Sequence, residues 1–189
     1  MAAHPETTAA RSPPEVSGGL YTPDERARRD STPWTLVQGV LAPVQFLVFL
    51  ISLGLVVRYL ATGEGLAWAH ASVVAKTATL YLIMVTGCIW EKVVFGRYLF
   101  APAFYWEDVF SMAVLALHTA YLVALATGAL GDRALMGLAL AAYAAYVVNA
   151  TQFLLKLRAA RLQETASRAQ ADIESRVAGA PNLSVEGAR

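Results

Sequence analysis

Four apolar runs leave this chain few folds to choose from: Trp34 to Leu60, about Leu66 to Phe95, about Ala103 to Leu130, and Arg133 to about Leu155. Each reaches or exceeds the ~20 residues an α-helix needs to cross hydrocarbon. A helix satisfies its backbone hydrogen bonds within its own segment, which hydrocarbon demands. The expected fold is therefore an all-α integral membrane protein with four transmembrane helices. Composition agrees: 57% of the 189 residues are apolar and 15% charged, against about 25% charged in soluble domains. The mean hydropathy is +0.47.

The segments between the runs carry helix and turn signals. Residues 1–20 are rich in Ala, Pro, Ser, Thr and Gly and too poor in large apolar groups to offset ordering entropy, so a disordered tail is expected. That tail lacks the apolar core of a secretory signal peptide, which leaves insertion to the first membrane helix. Thr22-Pro23-Asp24-Glu25 reads as a capping box that starts a short basic helix through Arg29 at the membrane surface, and Thr32-Pro33 repeats the N-cap signal. Ala61 to Gly65, Gly96 to Pro102 and Gly131-Asp132 are the connections. Residues 21–158 form the membrane domain. Beyond it, 159–189 read as a surface helix with a thin apolar stripe, Leu162, Ala166, Ile173 and Val177, before a frayed end.

Basic residues flank one side of the membrane. Arg26, Arg28 and Arg29 precede the first run, Lys92 and Arg97 lie between the second and third, and Lys156, Arg158 and Arg161 follow the fourth, whereas the other loops have only Arg58 and Arg133 at their edges. The positive-inside rule places both termini and the Arg97 loop in the cytoplasm. A formal net charge of +1 gives no global basic field, and nucleic acid is not an expected partner. The single cysteine, Cys88, excludes an intrachain disulfide and a thiolate metal cage, and no metal site is expected.

Charge inside the apolar runs is concentrated between Ile89 and Phe110, IWEKVVFGRYLFAPAFYWEDVF, with His118 beyond. An ionisable group at membrane depth costs several kcal/mol unless paired or hydrated, which makes Glu91, Glu107, Asp108 and His118 the candidate chemical groups. Glu107 and His118, eleven residues apart, are separated on a helix by a rotation of only ~20° and a rise of ~16 Å, and so share a face at two depths. Ser111 and Tyr121 lie near that face. The short connection brings Glu91 beside Glu107 and Asp108, and crowded carboxylates suit general acid–base work. A structural account is also open: Glu107 and Asp108 complement the helix dipole while Glu91 pairs with Lys92 or Arg97.

His118 is the only histidine deep within a run, since His4 sits in the tail and His70 near the outer interface, so a bis-histidine haem lacks its second ligand. A proton donor, an axial ligand to a pigment magnesium, and a polar residue satisfied by a nearby Ser or Tyr all fit it. Lys76 is expected to snorkel outward. Gln38 and Gln45, around Pro43 on one helix face, suit either interhelical hydrogen bonds or the polar wall of a ligand site. Trp90, Tyr98, Phe100, Phe104, Tyr105 and Trp106 fit an interfacial aromatic belt, and their density also suits a flat conjugated ligand.

With these residues laid out, the segments YTPDERARRDSTPWTLVQGVLAPVQFLVFLISLGLVVRYL, Tyr21 to Leu60, and IWEKVVFGRYLFAPAFYWEDVFSMAVLALHTAYL, Ile89 to Leu122, resemble the 3-vinyl bacteriochlorophyllide hydratase family of bacteriochlorophyll biosynthesis, over roughly Leu20 to Arg158. The resemblance implies addition of water to the C3 vinyl group of chlorophyllide or 3-vinyl bacteriochlorophyllide, giving a 3-(1-hydroxyethyl) product. It implies no cofactor: water is co-substrate, and magnesium enters only within the pigment. Catalytic candidates are then Glu91, Glu107, Asp108 and His118. Trp90, Tyr105, Trp106, Gln38 and Gln45 are candidates to line the macrocycle, with Lys92 or Arg97 near its propionate. The expected setting is the inner or intracytoplasmic photosynthetic membrane of a bacterium, with the bilayer, other pigment-biosynthesis enzymes or a second copy as partners. The competing class is a non-catalytic pigment-binding or assembly protein. A small transporter would want an inverted repeat or broken helices, and the sequence shows neither clearly.

Overall fold

The computed structural model describes residues 20–178, side chains through residue 176. The expected tail and frayed end lie outside that range. Five helices follow in order: α1 (Pro23–Ser31), α2 (Pro33–Thr62), α3 (Leu66–Phe95), α4 (Tyr105–Thr127) and α5 (Asp132–Ala178), with no strand among the described residues. The last four are long and apolar enough to cross a membrane.

Local chemistry sets the starts. The Thr22 N–H donates to Glu25 Oε2 at 2.8 Å while the Glu25 N–H donates to Thr22 Oγ1 at 3.3 Å, closing the capping box. Thr32 caps α2, accepting from the Trp34 N–H. Gly96, at φ 79°, ends α3 in the left-handed region, where an L side chain would be strained.

α5 departs from expectation: the fourth span and the surface helix are one helix of 47 residues. From Arg133 to Ala178 the sequence contains no proline and only Gly137, and its polar half is rich in Ala, Arg, Gln and Glu. These are good helix formers, so nothing stops propagation.

The four long helices form two antiparallel hairpins, α2 with α3 and α4 with α5. Gln38 Nε2 donates to Thr86 Oγ1 at 2.7 Å near one end of the first, and Ser52 and Ser72 share a hydrogen bond toward the other. Asn149 Nδ2 donates to Ser111 Oγ at 2.9 Å in the second. Phe49, Val56, Val73, Leu80, Val114, Tyr121, Met136 and Tyr143 build the core between the hairpins. The outward surface is apolar, with Leu36, Leu47, Val85, Val123 and Leu154 exposed, and the polar side chains turn inward. That inside-out distribution suits a bilayer as solvent.

α1 packs on the end of the bundle rather than lying free. Arg28 Nε donates to the Val94 carbonyl at 2.8 Å, and Arg29 Nη1 meets Glu164 Oε1 of α5 at 3.1 Å. Tyr21 stacks on Phe95, and burial pushes its phenol above the ordinary range. The Arg29 hydrogen bond holds the Asp30 carboxyl below its own.

Candidate functional site

Two polar centres lie inside the bundle, one at the α3–α4 connection and one deeper. At the connection, Glu91 in the last turns of α3 and Asp108 in the first turn of α4 turn their carboxyl groups onto neighbouring amides of the same turn, and so lie beside each other. The Phe100 N–H donates to Asp108 Oδ2 at 2.7 Å, and the Ala101 N–H to Glu91 Oε2 at 3.4 Å. Phe100 itself has φ 58°, the only non-glycine residue among those described with positive φ. The carboxylates therefore hold a strained turn.

Glu107 is buried one residue away and separately committed: Lys156 Nζ donates to its Oε2 at 2.6 Å. The alternative pairing of Glu91 with Lys92 or Arg97 is not what forms, because Lys92 Nζ reaches back to the Gly96 carbonyl and lies over the Tyr98 ring. Arg97 is exposed beside it.

His118 does not join the carboxylates. Asp108 to His118 is ten residues of helix, a rise of ~15 Å. His118 is fully buried, and its Nδ1 lies 2.8 Å from the Val114 carbonyl and its Nε2 2.9 Å from Lys76 Nζ. A carbonyl only accepts, so Nδ1 carries the proton and Nε2 accepts from the lysine. Both nitrogens are engaged, so a pigment magnesium would have to displace Lys76 to reach one. The partners are a lysine and a backbone carbonyl rather than a Ser or Tyr.

Lys76 corrects the snorkelling expectation. It is fully buried, with Nζ 4.1 Å from the Tyr146 ring centroid and 5.8 Å from that of Tyr143. The reason is reach: Lys76 lies ten residues, ~15 Å, inside the start of α3, farther than its side chain extends. Around it, Tyr143 bonds Ser52, and His70 Nδ1 and the Tyr121 hydroxyl are 2.7 Å apart, with Asp132 3.7 Å from His70 Nε2 at the outer edge.

The residues expected against a flat ligand divide. Trp106 is 67% exposed and Tyr105 48%, and with Phe100 they form an outward aromatic face at the connection that bears Glu91 and Asp108, while the exposed Tyr98 ring lies against Lys92. Trp90 turns inward, giving its Nε1–H to Thr35 at 2.9 Å and packing edge-on to Phe95 and Phe104. Gln38 is spent on Thr86. Gln45 is buried among the helices. Sequence reasoning missed Lys156, Lys76 and Tyr143, whose partners lie 42 to 91 residues away along the chain; the depth of Lys76 was the one signal that pointed to such a partner.

The chain matches, over residues 21–159, the family model described as 2-vinyl bacteriochlorophyllide hydratase. It is similar to the 2-vinyl bacteriochlorophyllide hydratase of Cereibacter sphaeroides, 68% identical over 157 residues that cover 83% of this chain and 98% of the relative. The protein of the same name from Rhodobacter capsulatus is 69% identical over 144 residues, 76% of this chain and 84% of that one. No solved structure matches it.

Proposed function

The chain belongs to the 2-vinyl bacteriochlorophyllide hydratase family, the 3-vinyl family under another numbering of the same substituent, and from that premise we propose that Glu91 and Asp108 are its acid–base pair. The protein is a hydratase, a hydro-lyase of bacteriochlorophyll biosynthesis, and its substrate is a bacteriochlorophyllide carrying a vinyl group.

One observation carries the assignment: two buried carboxyl groups from different helices, held on the adjacent amides of Phe100 and Ala101 beside an exposed aromatic face. Hydration needs one acid and one base. The proton passes from the protonated member of the pair to the terminal vinyl carbon, leaving a cation on the inner carbon that the macrocycle delocalises. Water adds there, and its surplus proton returns to the ionised member. Atoms and charge balance with water as the sole co-substrate, so the scheme needs no redox cofactor; the magnesium belongs to the pigment. Glu107, already paired with Lys156, supplies fixed charge next to the pair rather than the moving proton. The macrocycle lies against Tyr98, Tyr105 and Trp106, and its propionate meets Lys92 or Arg97 at the exposed end.

The topology that fits places both termini and the 96–104 connection in the cytoplasm, with the four long helices spanning the bacterial photosynthetic membrane and the apolar surface against lipid. In support, α1, the connection and the polar end of α5 converge on one end of the bundle, tied by Arg28 to Val94 and Arg29 to Glu164. Arg58 pairs with Glu64 at the other end.

The test is conversion by the purified protein in lipid, with no nucleotide or reductant, of the vinyl pigment to a species heavier by one water. No mass change with active-folded protein sinks the reading. Conversion that persists in Glu91→Gln removes Glu91 from the mechanism.

A further inference from the structure

One face of α5 carries a stripe that continues from the apolar half of the helix into the polar half. In the apolar half it consists of Gly137, Ala141, Ala144, Val148 and Thr151, and every one of these is exposed. In the polar half it consists of Leu155, Ala159, Leu162, Ala166, Ala169 and Ile173, again all exposed. The second set repeats the first eighteen residues on: Gly137 leads to Leu155, Ala144 to Leu162, Thr151 to Ala169. Eighteen residues are about five whole turns, so the stripe does not drift around a straight helix, and it covers roughly 80° of the circumference over ~54 Å. The opposite side of α5 is occupied, by Tyr146 against Phe49 of α2, Asn149 on Ser111 of α4 and Glu164 on Arg29 of α1.

Charge avoids the stripe. Every charged side chain from Lys156 to Arg176 lies outside it, the nearest being Arg158 and Arg176 at about 60° from its centre line. Leu155, Leu162 and Ile173 within it are more than half exposed. In water such a seam gains free energy by being covered. In hydrocarbon that drive is absent, and small side chains act instead by letting a second helix backbone come close.

We propose that the stripe is the contact of a parallel homodimer, two copies of α5 related by a twofold axis along the membrane normal. Lipid covers only the first half of the stripe, and a partner from the aqueous phase covers only the second. A helix that crosses the same boundary at the same depth covers both. The α5 of a second copy does so in register, because both chains enter the membrane the same way round. The flanks agree with that pairing. Each flank faces the position five residues further along in the second copy, which sets the Arg158 guanidinium against the Gln163 amide and the Thr165 hydroxyl against the Gln170 amide, with no like charges opposed. The proposal rests on the four long helices spanning a membrane and is independent of the hydratase chemistry.

The test is the state of the full chain in its membrane. Wild-type protein released from lipid nanodiscs and weighed intact should give a species of two 20.3 kDa chains; a monomer overturns the proposal without any variant having to fold. In a Cys88→Ser background, oxidation by copper–phenanthroline should link Ala144→Cys and Leu162→Cys into dimers at least tenfold more than Arg161→Cys, which is exposed but about 120° round the helix. Equal linking on and off the stripe overturns it as the interface. Leu162→Glu/Ile173→Glu, at exposed positions, should leave the melting transition in place while the dimer fraction falls at least tenfold, and a dimer that survives the double change overturns the proposal as well. Extraction of the membranes with alkaline carbonate separates the two readings: protein that leaves the membrane contradicts the spanning helices, whereas protein that stays and is monomeric contradicts the pairing alone.

Discussion

At the connection end, every buried carboxylate has a donor of its own: Lys156 for Glu107, and the amides of Ala101 and Phe100 for Glu91 and Asp108. In the deep layer, Lys76 has no carboxylate against it, only an imidazole nitrogen and the faces of two tyrosines. The ionic end sits where backbone amides of a turn and the end of a long lysine are within reach, and the deep layer sits where only side chains of regular helices are. Charge is balanced by charge in one place and by neutral groups in the other. On the proposed assignment, proton chemistry belongs to the first, and the second is a packed polar core.

The sharpest way to break this contrast is Glu91→Gln, which keeps an acceptor for the Ala101 N–H and removes only the exchangeable proton. Turnover measured on supplied vinyl pigment should fall by about a hundredfold or more, the usual share of general acid–base catalysis, with thermal stability little changed. Lys156→Met should act on stability: it leaves Glu107 without its ammonium, and the melting transition in detergent should report a loss of about 1–3 kcal/mol. Trp106→Ala should raise the pigment KM by about tenfold, ~1.4 kcal/mol, with kcat held, if the exposed aromatic face is where the macrocycle rests. The smallest effect is expected at Lys76→Met, where one hydrogen bond to a neutral imidazole is lost and the shape kept, at about 1 kcal/mol in the same melting assay. A larger loss for Lys76→Met than for Lys156→Met would reverse the comparison and assign the deep layer the dominant electrostatic role.

Much of the helical framework was legible because its signals are local. The Thr22–Glu25 capping box, the Thr32-Pro33 start and the limits of α3 at Leu66 and Phe95 are written in adjacent residues and recur as read. The continuity of α5 is not legible in hydropathy, because the fall after Leu155 marks a change of surroundings and not of backbone, and no proline or further glycine interrupts the helix there. At the site, the meeting of Glu91 with Asp108 followed from the short connection. The pairings of Lys156 with Glu107 and Lys76 with His118 depend on how two hairpins register against each other, which no local pattern encodes.

Phe100 is bent into the left-handed region by an N–H bond to the carboxyl of Asp108, and Ala101 is tied in the same way to Glu91. The turn is therefore a spring whose catch is made of the very carboxyl oxygens proposed to pass the proton. Adding a proton to such an oxygen weakens it as an acceptor, so the tension in the turn tracks the proton count of the pair. Amide-exchange rates at Phe100 and Ala101 are then a gauge of the site's charge that requires no pigment.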